Sequence, residues 1–129
     1  MNKNGAIIVT EKLTKRFGEI SAVNQLSLSI QRGEVFGLLG PNGAGKTTTV
    51  RMLAALLIPS SGTAQVAGFY IGEDDQDIRR KIGLLPESPG LYDSLSAEQN
   101  LAFFGSMYGV ENIAGQIQKY LELLGLQKQ

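Results

Sequence analysis

The segment Gly40-Pro41-Asn42-Gly43-Ala44-Gly45-Lys46-Thr47-Thr48 carries the residue types that hold a chain of phosphates. It fits G-x-x-x-x-G-K-[ST], a spacing in which backbone N–H groups supply most of the contacts. A triphosphate brings several negative charges. Consecutive amides from about Gly43 to Thr48, converging on a helix N-terminus, would meet them. Gly43 and Gly45 let the backbone approach closely and take positive φ where a Cβ would clash. Lys46 adds a full positive charge near the β- and γ-phosphates, and the Thr47 hydroxyl is a candidate ligand for Mg²⁺. The candidate nucleotide-binding set is therefore Asn42, Gly43, Ala44, Gly45, Lys46, Thr47 and Thr48, with Lys46 also the candidate catalytic cation.

Such a loop works only between a strand and a helix, and both are legible. Val35-Phe36-Gly37-Leu38-Leu39 is apolar throughout, as expected of a strand covered on both faces. Val50, Leu53, Ala54 and Leu57 then recur at helical spacing and predict a helix from about Lys46 to Leu57, ended by Pro59 to Gly62. Upstream, from Ala6 to Gln31, apolar residues alternate with polar ones (Ile7 and Val9; Ile20 and Ala22; Leu26, Leu28 and Ile30). That pattern predicts strands of a half-exposed antiparallel sheet, with Arg32-Gly33 as the turn that follows.

Downstream, Thr63 to Ala67 reads as a short strand. Asp74 to Lys81 reads as a short helix with acids early and Arg79, Arg80 and Lys81 late, its charges forming a solvated face. Ile82 to Leu85 is a strand candidate closed by Pro86. Ser96-Ala97-Glu98-Gln99 has the spacing of a capping box, and Leu101, Phe104, Met107 and Tyr108 give the helix after it an apolar stripe. Ile113, Ile117, Tyr120, Leu121 and Leu124 do the same for a last helix ended by Gly125. Both stripes read as packing surface.

The 129 residues are one domain's worth of chain, and the formal net charge is zero, so no global basic field argues for nucleic acid as a partner. The absence of cysteine and histidine excludes disulfide frameworks, thiol chemistry and any imidazole base. The apolar run at Leu53 to Ile58 falls far short of the ~20 residues of a membrane-spanning helix. Ala6-Ile7-Ile8-Val9 is too short for a secretory signal core, which points to a cytoplasmic chain.

Several protein classes carry a phosphate loop. GTPases need a guanine-reading Asn-Lys-x-Asp, which Asn2-Lys3-Asn4-Gly5 fails, and a switch Asp-x-x-Gly, which Asp74, Asp75, Asp77 and Asp93 all fail. Small nucleoside kinases place the loop close to the N-terminus, whereas roughly forty residues of sheet-like sequence come first here.

Taken together, Leu13-Thr14-Lys15-Arg16-Phe17-Gly18 with Ala22-Val23, Gly33 to Thr48, Pro59-Ser60-Ser61-Gly62, Ile82-Gly83-Leu84-Leu85-Pro86-Glu87 and Leu95 to Leu101 resemble, in order and spacing, the ATP-binding cassette of ABC transporters. The resemblance covers nearly the whole chain and is most specific at the phosphate loop. It implies an α/β fold of the P-loop NTPase, ABC-cassette type, represented incompletely: an antiparallel β subdomain, a partial parallel core sheet with helices, and part of a helical subdomain. The nucleotide-binding core would occupy about residues 1–87 and the start of the helical subdomain about 88–129.

The resemblance also implies roles. Phe17, which in isolation fits a core position, would stack on adenine, with Val23 lining the same edge; the family more often has tyrosine at Phe17. Stacking of this kind is worth ~1–3 kcal/mol and hardly discriminates among bases. Glu87 would stand where most cassettes place a glutamine that reaches Mg²⁺ and the water near the γ-phosphate, a departure that adds negative charge and leans more heavily on the metal. Leu85-Pro86-Glu87 resembles the exporter branch that includes drug and sodium efflux cassettes. Ser88 to Leu95, with Pro89, Gly90 and Tyr92, and the helix that follows would face a transmembrane permease subunit. A second cassette would complete a dimer on the inner face of the membrane.

The family's Leu-Ser-Gly-Gly-Gln signature, its acidic-pair strand and its switch histidine do not occur in these residues, and Leu123-Leu124-Gly125-Leu126-Gln127 lacks the signature's serine and second glycine. The resemblance therefore implies ATP and Mg²⁺ binding, with hydrolysis not expected of the chain alone. The strand at Val35 to Leu39 would also lack neighbours, an aggregation hazard. A non-catalytic nucleotide-binding or interaction fragment and a soluble cassette of translation or DNA repair remain as alternatives.

Overall fold

A computed structural model of the chain describes residues 5–88 and 90–127. The alternating N-terminal segment forms two twelve-residue strands, β1 (Ala6–Phe17) and β2 (Ile20–Gln31). β3 (Ser61–Val66) pairs with the other edge of β1, and the two-residue β4 (Phe69–Tyr70) pairs with β3. The order is β2-β1-β3-β4, antiparallel throughout. The expected antiparallel sheet is thus present, with β4 an addition too short to leave a periodic signal.

The long hairpin is bent. Its register shifts between Thr10 and Leu13 and again between Leu13 and Lys15, and Lys12 and Gln25 take φ of 48° and 49° there. Two buried threonines replace the ladder bonds that such bulges interrupt. Thr10 Oγ1 donates to the Leu26 carbonyl at 2.9 Å and accepts from Leu28 N–H at 3.0 Å. Thr14 Oγ1 accepts from Gln25 N–H at 3.0 Å and donates to the Lys12 carbonyl at 3.0 Å.

α1 (Lys46–Leu53) packs on this sheet through Met52, which joins Leu13, Val23 and Ala64 in one buried cluster. The expected helix runs to Leu57 with Val50, Leu53, Ala54 and Leu57 inward; it ends at Leu53 and leaves Val50 exposed, while Ala54 is buried and Leu53 and Leu57 pack on the core beside the buried Thr49 and Met52. The helix stops early because Ala55 adopts φ 53°, with Ala55 N–H bonded to Met52 O and Leu56 N–H to Arg51 O. This is a Schellman-type termination with alanine in the place where glycine usually advertises it.

α2 (Asp75–Lys81) buries Ile78 against Ala55 and Val66. Its charges are only partly a solvated face. Arg80 pairs with Asp77, but Arg79 donates to the Ala55 carbonyl at 2.8 Å and so satisfies the end of α1.

By its contacts the chain divides into two units at Leu84/Leu85. The second unit contains α3 (Ala97–Met107) and α4 (Ile113–Leu123). The capping box forms as expected: Gln99 N–H donates to Ser96 Oγ and Ser96 N–H to Gln99 Oε1. Gly125, at φ 67°, ends α4. Asn100, the buried residue of α3, holds the preceding loop: its Oδ1 accepts from Tyr92 N–H, and its Nδ2 donates to the carbonyls of Tyr92 and Leu95. The Tyr92 ring meets Phe103 edge-on at 5.1 Å.

Two expected strands do not form. Val35–Leu39 and Ile82–Leu85 pair with no strand among the described residues, and Val35, Leu39 and Leu85 are 99%, 93% and 86% exposed. A core strand is defined by neighbours on both edges and cover on both faces. Without them the apolar run has nothing to pair with, and its hydrophobic residues stay open to solvent.

Candidate phosphate-binding site

The glycine loop is positioned by the two things on either side of its last glycine: the helix it opens and the strand it rests on. Gly45 is the N-cap of α1, at φ 84° and ψ 6°, with no side-chain cap; Gly43 has φ 83°. A Cβ at Gly45 would overlap the Ala22 carbonyl oxygen of β2 and meet Val23 Cγ2 at 3.2 Å, so the loop lies directly against the strand. Gly43, by contrast, has open space where a Cβ would stand.

Thr49 N–H bonds back to Gly45 O at 2.8 Å, starting the helical ladder. The N–H groups of Lys46, Thr47 and Thr48 have no acceptor among the described residues. They are the orphan donors of a helix start, left without a cap. The Lys46 ammonium turns back on its own loop, donating to the carbonyls of Gly40 at 2.6 Å and Pro41 at 2.7 Å. Beside this loop a cavity of about 370 Å³ runs along β2, lined by Ser21, Val23 and Asn24 and by Gly43, Ala44 and Lys46. No carboxylate lines it. Three successive N–H groups without acceptors, one ammonium and no carboxylate in the lining are the donor chemistry that a phosphate chain requires.

The loop residues expected to bind nucleotide are contiguous, and Gly45 opens α1 without a side-chain cap. Val23 lines the cavity but is chiefly a core residue, 7% exposed and packed with Leu13 and Met52. Phe17 lies outside that lining, at the end of β1, and is 51% exposed. Glu87 belongs to the second unit, whereas Thr47 belongs to the first, and among the described residues no cluster of three or more Asp, Glu, His or Cys gathers to hold a metal. Pro89, expected near a partner, lies outside the described residues; Gly90 and Tyr92 are exposed.

Ala22 was not among the sequence candidates. Its role is made by a backbone carbonyl, and the signal for it was the glycine at Gly45, which has no room for a side chain.

The ABC transporter family profile matches residues 23–129. The chain is 40% identical over 124 residues to the linearmycin resistance ATP-binding protein LnrL of Bacillus subtilis, covering 93% of this chain and 39% of that protein. It is 38% identical over 123 residues to the bacitracin transport ATP-binding protein BcrA of Enterococcus faecalis, covering 95% of this chain and 40% of that one. Among solved structures, an ATP-binding subunit of an ABC transporter superposes with a TM-score of 0.70 at 27% identity, over 82% of this chain and 44% of that one. The chain thus spans about two fifths of the length of these relatives.

Proposed function

The chain belongs to the ABC transporter family of ATP-binding proteins, and from that premise we propose that it binds Mg²⁺-ATP at the glycine loop as part of an export cassette. The observation that carries the reading is the start of α1: three uncapped N–H groups at Lys46 to Thr48, beside an ammonium and a cavity free of carboxylates. The amides of Gly43 and of Gly45 to Thr48 hold the phosphates, Asn42 and Ala44, whose N–H donates to the Pro41 carbonyl, shape the approach, and Lys46 leaves its two loop carbonyls to neutralise the β- and γ-phosphates. Phe17, half open, stacks on the base, with Val23 supporting the floor of the site.

Magnesium, delivered with the nucleotide, supplies the charge that compensates the γ-phosphate. Thr47 would be its ligand from this chain, and Glu87, by its place in the family motif, would be a second donor for it or its water. Export is favoured over other uses of the loop by the names of the relatives, which speak of antibiotic resistance and transport. The working assembly joins a second cassette and a transmembrane permease on the inner face of the membrane. Among the described residues no helix is long and apolar enough to cross a membrane. The 129 residues themselves contain neither the signature nor an acidic-pair strand, so they hold nucleotide without turning it over.

Calorimetric titration with Mg²⁺-ATP tests this. Binding by the chain should weaken at least about tenfold in Lys46→Ala, which removes one full charge from the phosphate site, and phosphate release should stay at background. Equal binding by the variant refutes the site; turnover lost in Lys46→Ala refutes the non-catalytic reading.

A further inference from the structure

The stacking residue in the reading above does not stand free. The Lys15 ammonium lies over the Phe17 ring, 5.3 Å from its centroid. Lys15 is itself held, because the same ammonium donates to the Ile58 carbonyl at 2.7 Å, on the turn that follows α1. Close by, Arg16 N–H donates to Ser60 Oγ and Ser60 N–H to the Thr14 carbonyl, so the end of β1 is tied to that turn by backbone as well. One face of the ring is thus occupied by a cation anchored to the framework, while Phe17 remains 51% exposed.

We propose that Lys15 is a positioning residue for the nucleobase: it holds the Phe17 ring from behind, so that the open face is a fixed platform for a planar purine. This rests on the reading that the chain binds a nucleotide through Phe17. An exposed aromatic side chain at a strand end samples several rotamers, and ordering it on binding weakens affinity. A cation over the ring removes part of that freedom in advance, through the attraction between positive charge and the π face. Lys15 therefore acts on the base through the ring, in contrast to Lys46, which acts on the phosphates.

The test compares the full chain with Lys15→Met, Phe17→Ala and the double variant, titrated with Mg²⁺-ATP and with Mg²⁺-tripolyphosphate, which has no base. Lys15→Met should weaken ATP about two- to fivefold, leave tripolyphosphate unchanged, and have no further effect in the Phe17→Ala background. In the ligand-free chain the Lys15 ε-methylene protons should be shifted upfield by the ring and return to ordinary values in Phe17→Ala. An equal loss for both ligands would make Lys15 a general electrostatic or structural residue and overturn the proposal, as would additivity in the double variant, no loss for ATP, or no ring-current shift. A chain that binds neither ligand removes the nucleotide reading itself, and the proposal with it; one that binds ATP without coupling removes the proposal alone.

Discussion

Replacing Gly45 and Gly43 separately by alanine asks whether the loop is anchored by its contact with β2 or merely permitted by flexible glycines. Both residues have nearly the same φ, 84° and 83°. Forcing an L-residue into that region costs about 1–2 kcal/mol at either position. Only at Gly45 does the new methyl group also collide with rigid backbone: it overlaps the Ala22 carbonyl oxygen and presses on the Ala22 carbonyl carbon at 3.3 Å. Overpacking of that kind adds about 1–3 kcal/mol. Gly43→Ala should therefore destabilise the chain by about 1–2 kcal/mol and Gly45→Ala by about 2–5 kcal/mol, summing the two contributions. Urea unfolding monitored by circular dichroism reads the difference as a shift in midpoint at constant slope. Because the collision pushes the loop off the strand, Gly45→Ala should also lose ATP affinity more severely than Gly43→Ala. Equal destabilisation by the two variants would refute the idea that the Ala22 carbonyl seats the loop.

The bulged hairpin should depend on its buried hydroxyls: Thr10→Val keeps the shape but strands Leu28 N–H and the Leu26 carbonyl, costing about 1–3 kcal/mol in chemical unfolding, and a change under about 0.5 kcal/mol would mean the bulge is held otherwise. In the second unit, Asn100→Ala takes the acceptor from Tyr92 N–H. Hydrogen exchange at that amide should accelerate roughly tenfold or more, whereas unchanged protection would show that the 92–96 loop does not need Asn100.

How far the sequence could be read depended on whether the cause of each feature was local. The glycine loop, the Ser96 capping box and the Gly125 stop are written in a few adjacent residues, and each appears where the spacing places it. The long hairpin was legible as alternation, but its bulges were not, because Lys12 and Gln25 take positive φ without being glycine. The same concealment shortened α1: Ala55 does what glycine would have announced. Val35–Leu39 shows the opposite limit. Its composition states what environment the segment needs, and the described residues do not provide that environment, so a correct hydrophobic pattern yields an exposed segment. At the candidate site, the loop's conformation was legible because it is set by its own glycines, while the Lys15 contacts to Phe17 and Ile58 and the seat on the Ala22 carbonyl were not, since they depend on how the chain folds back on itself.

Amide chemical-shift mapping with ¹⁵N-labelled chain gives the most direct view of whether the start of α1 is a triphosphate nest. On adding Mg²⁺-ATP, the N–H signals of Gly43 to Thr48 should move most, with Lys46, Thr47 and Thr48 shifting downfield as their unpaired groups gain phosphate acceptors. Saturating nucleotide that leaves these signals in place, or moves only residues elsewhere, would contradict the assignment.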